Sequence, residues 1–427
     1  MNTNDYPQGL PFSDEFLQQV RARFHNVDSD SFGKRIFFEN SGGALRLKSC
    51  IQAAIDVDTH PDCPGRHQAQ ASVQEQAVKK GYEDIRIIFN SQKGSIVTYL
   101  SASQVIFNIV GAIAENNPGS NMVTSVLEHP CGFDSVEYYA KKTSRELRVL
   151  WSNPATGGID VDEVAKNVDE NTVLFCCLYS SNITGAINDI PAMVAAARKI
   201  KPDIYIVIDA VQYAPHSLID LSKLDIDAIT IAPYKFFGMR GSGVGWVSDR
   251  CAVLPHNRIL GYTEDVWELG STAPHQFAGY SAIVDHVCWI GSQFNDSKDR
   301  RMLFEEGMHR IELQERALLH RVLEGHGELP GLRNIKNVKV QCDNPDLTKR
   351  DFILPITFDN IKDVTSAVKE YVKRGIYVFE RKSPSHYSKR IVESFGLDGV
   401  IRVSPIHCNS PEEIDCFLKA SMEIAAL

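Results

Sequence analysis

An acidic residue and a basic residue end two neighbouring apolar stretches of the chain. Asp209 closes the run IYIVIDA, and Lys235 follows the run AITIAP. A lysine amine can form a Schiff base with pyridoxal phosphate, and a carboxylate can keep the pyridine nitrogen protonated so that the ring accepts electrons. Because open α/β sheets bind ligands at the carboxyl ends of their strands, the pair predicts such a site. Either residue alone is more typical of a helix cap or a solvated charge.

Short apolar runs, rich in Val and Ile, alternate with helix-sized segments through the first two thirds of the chain. The runs are GSIVTYL, NMVTSV, LRVLW, TVLFCCLYS, IYIVIDA, AITIAP and GVGWVS. Runs of this length and composition are typical of parallel strands that are covered on both faces. The sequence therefore predicts an α/β fold.

The character of the chain changes near residue 297. A long charged, helix-favouring stretch leads to three further strand candidates, DFILPITF, GIYVFE and GVIRVS, and Ser410 with Glu413 forms a capping box before the last helix. We predict a large domain over 31–296 and a smaller α+β domain over 297–427. The segment 1–30 is expected to pack across the two.

Bulk composition restricts the partners. The chain has 427 residues, 45 Lys and Arg against 54 Asp and Glu, and a net charge of -9 without a basic block, so a nucleic-acid role is not expected. No apolar run approaches a spanning helix, and the N-terminus does not look like a signal peptide. The ten cysteines include no CxxC motif, and we expect them to be reduced thiols. We expect a cytoplasmic protein that binds a small molecule, with no membrane partner and no metal.

Several motifs, in order, carry a family resemblance. The segments DAVQYAPH and DIDAITIAPYKFFGMRGSGVGW resemble the class V aminotransferase family of fold-type-I pyridoxal-phosphate enzymes, in particular its cysteine-desulfurase-like branch. The resemblance runs from IFFENSGGALRLKS to IRVSPIHCNSPEEID. It implies a large domain with a mostly parallel seven-stranded sheet, a small α+β C-terminal domain, pyridoxal 5'-phosphate as cofactor, an amino-acid substrate and a homodimer with shared active sites.

The resemblance also implies roles for individual residues. Ser103 at a helix start would hold the phosphate, His129 would stack on the ring, and Gln212 would bind the phenolic oxygen. Arg402 would bind the substrate α-carboxylate, a task that suits a planar guanidinium. The catalytic candidates are Lys235, His129 and Asp209. The cofactor-binding candidates are Ala102, Ser103, His129, Asn182, Thr184, Asp209, Gln212, Tyr234 and Lys235, with Ser271 and Thr272 from the opposite subunit. The substrate-binding candidates are Arg402, Asn182, His386 and Tyr387.

Two departures separate the chain from the desulfurases. Ala232, Pro233 and Tyr234 stand where the desulfurase pattern has a serine, a small residue and a histidine before the lysine. The stretch YVFERKSPSHYSKRIVESFGLDGVIR lacks the cysteine that would accept sulfur. Transamination and C–S or β-elimination lyase chemistry are therefore preferred. Desulfurase or selenocysteine-lyase-like activity, epimerisation and decarboxylation stay as alternatives. A dinucleotide site at GMRGSGVG and a non-enzymatic scaffold are weaker interpretations.

Overall fold

A sheet of seven strands forms the centre of the large domain. The computed structural model describes all 427 residues. The strands are β1 (Ser95–Tyr99), β2 (Asn121–Ser125), β3 (Glu146–Leu150), β4 (Thr172–Leu178), β5 (Tyr205–Asp209), β6 (Ala228–Ile231) and β7 (Gly243–Val247). Their order is β1-β7-β6-β5-β4-β2-β3, and only β7 runs antiparallel to its neighbours. Each predicted apolar run contains one strand, and the predicted α/β fold is confirmed.

Both faces of this sheet are buried. In β4, Leu174 and Cys176 belong to one hydrophobic core, whereas Phe175 and Cys177 belong to another on the opposite face. Successive side chains of a strand point to opposite faces, so a strand covered on both sides is apolar throughout. This explains why the sequence shows continuous apolar runs rather than alternation.

Thirteen helices surround the two sheets. They are α1 (Asp14–Ala22), α2 (Lys48–Asp58), α3 (Ala69–Phe89), α4 (Ala102–Asn116), α5 (Pro130–Lys142), α6 (Val161–Asn167), α7 (Ile190–Ile200), α8 (Asp249–Ala252), α9 (Pro274–Ser292), α10 (Arg300–Glu324), α11 (Val364–Lys373), α12 (Lys389–Ser394) and α13 (Pro411–Ala425). No helix combines the length and the apolarity that crossing a membrane requires. The predicted capping box is present, because the Ser410 side chain accepts from the Glu413 N–H and the Glu413 side chain accepts from the Ser410 N–H.

A smaller antiparallel sheet forms the C-terminal part. Its strands are β8 (Val338–Val340), β9 (Leu354–Phe358), β10 (Phe379–Lys382) and β11 (Gly399–Val403), in the order β8-β9-β11-β10. Helices α11 and α13 contribute to its separate hydrophobic core. Two-residue strands add three small ladders: Ser29–Asp30 with Gly33–Lys34, Ile36–Phe37 with Ile376–Tyr377, and Gly325–His326 with Leu329–Pro330. The α+β expectation for this part is confirmed.

Helix α10 contributes to both hydrophobic cores, and helix α1 contacts the C-terminal part. Phe304 of α10 lies in a core of the large sheet, whereas Leu318 of the same helix lies in the core of the small sheet. In α1, Arg21 donates to the Cys408 carbonyl at 2.7 Å and pairs with Glu413 at 3.1 Å. Because α10 contributes to both cores, the domain boundary at 296/297 stays a prediction.

Candidate active site

A cavity of ≈ 560 Å³ opens at the carboxyl ends of the central strands. Asp209 is the last residue of β5, Lys235 lies in the turn after β6, and His129 follows β2. The volume falls in the range of about 300–1,000 Å³ that is usual for small-molecule sites. The lining residues are Ser41, Gly42, Leu100, Ser101, Ala102, Ser103, His129, Cys131, Leu178, Ser180, Asn182, Asp209, Val211, Gln212, Ala232, Tyr234, Lys235, Arg240, Gly241, Ser242, Arg381 and Tyr387.

Lys235 is buried and has one direct partner. Its Nζ donates to Gln212 Oε1 at 3.2 Å. Burial, together with the nearby Arg402 charge, lowers the pKa of Lys235 to about 8, although the Asp209 carboxylate acts in the opposite direction. The side chain therefore holds an appreciable fraction of free amine close to neutral pH. A free amine is the form that attacks an aldehyde or takes up a proton.

Asp209 keeps one oxygen free toward the cavity. Its Oδ1 accepts from the Val211 N–H at 2.9 Å, and no protein group donates to Oδ2. Burial raises the pKa of Asp209, while the Val211 N–H and the Lys235 charge act in the opposite direction. A carboxylate with an open oxygen on the cavity wall suits a protonated ring nitrogen.

A buried chain of hydrogen bonds fixes the Gln212 amide. Gln212 Nε2 lies 3.2 Å from His216 Nε2, and His216 Nδ1 lies 2.7 Å from Glu315 Oε2. With Nδ1–H donating to Glu315, the neutral ring accepts from Gln212 at Nε2, and the amide then presents Oε1 to Lys235. Burial disfavours the charged ring, but the Glu315 carboxylate outweighs it and raises the pKa of His216. A second proton on His216 would make its Nε2 a donor. The Gln212 amide would then rotate to accept that bond and would no longer present Oε1 to Lys235.

His129 is a neutral ring at the start of α5. Its Nδ1 accepts from the Cys131 N–H at 3.2 Å, which leaves the proton on Nε2. Burial and the charge of Lys235 lower the pKa of His129 to about 3. The Cys131 Sγ is 2.9 Å from the same Nδ1, and burial raises the pKa of that thiol. The ring can therefore stack or donate at neutral pH, and Cys131 is a thiol rather than a thiolate.

The first turn of α4 offers an anion site at the other end of the cavity. The Ser101 hydroxyl caps the helix by accepting from the Gln104 N–H at 3.3 Å, while Ala102 and Ser103 line the cavity. Free N–H groups of a first helical turn bind phosphate groups well. Gly243 of β7 packs directly on this turn, because a Cβ there would lie 2.0 Å from the Ala102 nitrogen. Capping and anion binding are thus both possible at this helix start.

These groups together fit pyridoxal phosphate. The start of α4 would hold the phosphate, Asp209 would face the ring nitrogen, and Lys235 would react with the aldehyde. The Asn182 side chain lines the cavity without a protein hydrogen-bond partner, and the Tyr234 ring stacks on Arg240 at 4.0 Å. No group of three or more His, Cys, Asp or Glu side chains is arranged to hold a metal ion.

Several candidates lie outside the cavity. The Thr184 hydroxyl donates to the Gly157 carbonyl at 2.8 Å and accepts from the Ala186 N–H, so it stabilises a turn instead of facing the cavity. Arg402 is fully buried and does not line the cavity. Its guanidinium pairs with Glu39 instead. The remaining ones are exposed or peripheral: His386 beside Tyr387, and Ser271 and Thr272 in the loop before α9. Their roles stay predictions.

Other residues also reach the cavity, among them Arg381, which the sequence suggests only as a contact for a second acidic group of the substrate. Ser41 and Gly42 come from the one-turn 3-10 helix Asn40–Gly42, and Arg381 comes from β10. The adjacent glycines in ENSGG indicated a turn, but not where it would lie. Arg381 stands in an exposed-looking charged stretch, and only the pairing of β10 with β11 places it on the cavity wall.

Comparison with known proteins agrees with this geometry. The family model Aminotransferase class-V matches residues 36–417. An aminotransferase-like protein of Gibberella zeae is 24% identical over 425 residues, covering 95% of this chain and 97% of that protein. A cysteine desulfurase of Pectobacterium carotovorum is 22% identical over 424 residues, covering 93% of this chain and 95% of that protein.

Solved structures share the fold. The apo cysteine desulfurase of Thermococcus onnurineus superimposes with a TM-score of 0.80 at 18% identity, covering 96% of this chain and 98% of that one. The Escherichia coli cysteine desulfurase CsdA superimposes with a TM-score of 0.79 at 18% identity, covering 98% and 99%. With the family match over nearly the whole length, the chain belongs to the class V aminotransferase family and is a pyridoxal-phosphate-dependent enzyme.

Proposed function

We propose that the enzyme breaks a bond at the α-carbon or β-carbon of an amino acid, as a transaminase or β-elimination lyase, without passing sulfur through a cysteine of the small domain. One observation carries the proposal. The segment 381–388, which brings Arg381 and Tyr387 to the cavity, contains no cysteine. Of the thiols in the C-terminal part, Cys342 and Cys408 are buried, and Cys416 lies on α13 outside the cavity lining.

The side chains supply proton transfer and orientation. When bound, pyridoxal phosphate supplies an electron sink for a carbanion at the substrate. Lys235, whose pKa is about 8, would take a proton from the substrate α-carbon and would give the proton back later in the reaction. Asp209 would keep a ring nitrogen protonated, and Gln212 positions the lysine by accepting from its Nζ. His129 covers the site as a neutral ring and excludes water from one side.

Cysteine desulfuration is the second candidate. The names of the bacterial relatives favour it, and Cys131 is a thiol on the cavity wall. The raised pKa of Cys131 weakens it as a nucleophile, because a thiolate is the reactive form. The amino-acid product distinguishes the two candidates, because desulfuration of cysteine leaves alanine whereas β-elimination leaves pyruvate and ammonia.

An absorbance titration and an amino-acid panel test the proposal. Purified enzyme with pyridoxal phosphate should show an imine band near ~410–430 nm, and Lys235→Ala should lack it. Lys382→Ala is the matched control, since Lys382 lies one residue beyond the cavity wall and pairs with Asp363. Incubation with amino acids should yield keto acid, ammonia or both. Catalytic formation of alanine from cysteine would favour desulfuration, and an imine band that survives in Lys235→Ala would refute the assignment of the lysine.

Assembly and location are further parts of the proposal. We infer a homodimer in which Ser271 and Thr272 reach the phosphate in the partner's cavity, since neither lines the cavity of its own subunit and Ser271 is exposed. All ten cysteines are free thiols, which favours a reducing compartment such as the cytoplasm.

A further inference from the structure

The carboxylate of an amino-acid substrate needs a cation, and two arginines of neighbouring strands compete for the task. Arg402 lies in β11 and Arg381 in β10. Both are close enough to Lys235 to lower its pKa, so each could meet a group attached to the α-carbon. Their surroundings differ.

Arg402 already has an internal acid. Its side chain is fully buried, its Nη2 lies 2.5 Å from Glu39 Oε1, and its Nη1 donates to the Asn182 carbonyl at 2.9 Å. It does not line the cavity. A substrate carboxylate would have to displace Glu39 before it could reach this guanidinium.

Glu39 is held in place by the turn that follows it. Asn40 and Ser41 donate through their backbone N–H groups to Ser404, the first to its carbonyl at 3.1 Å and the second to its hydroxyl at 3.1 Å. Gly42 packs so tightly that a Cβ there would lie 2.5 Å from Glu39 Oε1. The carboxylate is thus confined beside Arg402.

Arg381, by contrast, has no partner. Its guanidinium lines the cavity and makes no hydrogen bond to the protein through any nitrogen, whereas Arg402 leaves only its Nε without an acceptor. No carboxylate oxygen lies within 4.0 Å of it. Burial and the nearby Arg402 charge lower the pKa of Arg381 to about 10, so it still carries its charge at neutral pH. A largely buried cation without a counter-charge is costly, and an incoming anion removes that cost.

The remaining cavity arginine is already engaged. Arg240 donates to the Gly42 carbonyl at 3.2 Å, stacks on Tyr234 and is exposed. Arg381 is also close enough to His129 to lower its pKa, which places it near the side chain expected to cover the ring.

We propose that Arg381, and not Arg402, binds the carboxylate of the substrate, with Glu39 as the permanent partner of Arg402. The inference rests on the proposed function, because it requires an amino-acid substrate. A planar guanidinium that offers paired N–H donors suits a carboxylate. The cavity then selects substrates that carry a carboxylate on the α-carbon, and Arg381 of strand β10 is the side chain that recognises it.

Binding of two matched ligands to the cofactor-free enzyme tests this without turnover. N-(5'-phosphopyridoxyl)-L-alanine and N-(5'-phosphopyridoxyl)ethylamine differ only in the carboxylate. By calorimetry, wild type should bind the alanine derivative more tightly. Arg381→Gln should lose roughly 10- to 100-fold of that preference, the size expected for charge-assisted hydrogen bonds. Its thermal midpoint should not fall, because the variant removes an unpaired buried charge.

A reciprocal variant separates the two arginines. Glu39→Gln/Arg402→Gln removes both charges of the buried pair together and should keep the preference for the alanine derivative. Arg240→Gln, the matched cavity control, should change the affinity for both ligands alike. Retained preference in Arg381→Gln, or lost preference in the double variant, would overturn the inference. If wild type bound neither ligand, the proposed function itself would fail along with it.

Discussion

Burial sets the protonation of the reacting groups. Lys235 is the clearest case, since burial lowers its pKa from the usual 10.5 to about 8. In cofactor-free enzyme, pulse labelling with an amine-specific reagent should therefore show Lys235 reacting with a pH midpoint near 8. Exposed lysines in the same digest serve as internal controls, with midpoints near ~10.4. A Lys235 midpoint equal to theirs would contradict the burial argument.

Glu128 makes a second pH prediction. It is completely buried, its Oε1 accepts from Ser125 Oγ at 2.5 Å and from the Leu178 N–H at 2.9 Å, and its Oε2 has no partner. Burial raises the pKa of Glu128 to about 8. The folded state therefore keeps a proton that the unfolded state releases above its ordinary pKa, so stability is lost as pH rises from about 4.3 to 8.

Glu128→Gln removes this pH dependence. The free energy of unfolding of the variant, relative to wild type, should rise by up to about 1.4 kcal/mol per pH unit between pH 5 and 8, then level off. Denaturant unfolding at several pH values measures it. Glu163→Gln is a surface control that should show no such rise, because its pKa is lowered by Lys166. A pH-independent difference for Glu128→Gln would argue that the carboxyl group is ionised in the folded state.

Sequence reasoning named residues that the structure brings together on one cavity wall, but not the buried pairs that hold their surroundings in place. Asp209, Lys235 and Gln212 follow strand ends and lie together on the cavity wall. Glu39 with Arg402, and Glu315 with His216, are pairs whose members are far apart in sequence, and each contact exists only after the domains pack. No local pattern encodes such a pair, so the structure was needed to find it.

At the scale of secondary structure, the length and composition of the short apolar runs predicted the strands of the large sheet. All seven strands of that sheet came from apolar runs, and the five inner strands are buried almost throughout, whereas the edge strands β1 and β3 are only partly buried. Strand β8 escaped prediction because only three residues pair and none of them is fully buried. The turn after β6 contains Phe237 at φ 63°, which no propensity predicts. Its ring packs against Phe24 and His407, so remote contacts stabilise this unusual conformation.

The contact between β7 and α4 predicts a sensitive position. Gly243→Ala would place a methyl group 2.0 Å from the Ala102 nitrogen and displace the first turn of α4. Affinity for pyridoxal phosphate, measured by absorbance titration, should fall at least about fivefold, given an overpacking cost of about 1–3 kcal/mol. Gly261→Ala is the control, since no atom lies within 4 Å of its Cβ position. Equal affinities for the two variants would show that this turn does not hold the phosphate.

For the whole molecule, shared sites predict complementation between inactive subunits. Lys235→Ala lacks the reacting amine, and Thr272→Asp would repel a phosphate in the partner's cavity. Each variant alone should be inactive. A randomly mixed dimer population should regain about a quarter of wild-type activity, because half of the dimers carry one intact site.

Coexpression with two distinguishable tags measures this recovery. Mixing Lys235→Ala with Asp209→Ala is the control, because both residues line the same subunit's own cavity and every cavity of a mixed dimer then lacks one of them. That mixture should not recover, and Thr272→Asp combined with Lys235→Ala on a single chain should also stay inactive. Full activity of Thr272→Asp alone would exclude a role for the loop in the partner's site.

The order in which the chain is made matters for the site. Strand Ile36–Phe37 pairs with Ile376–Tyr377, and the turn at Gly42 meets the wall that Arg381 completes. At synthesis rates of about 5–20 residues per second, strand Ile36–Phe37 is made some tens of seconds before strand Ile376–Tyr377. During that time Asp209 and Lys235 can fold into their sheet, but the cavity lacks one side. We therefore expect the cofactor to be captured by the finished chain after its release from the ribosome, and a truncated nascent chain stalled before residue 376 to bind it poorly.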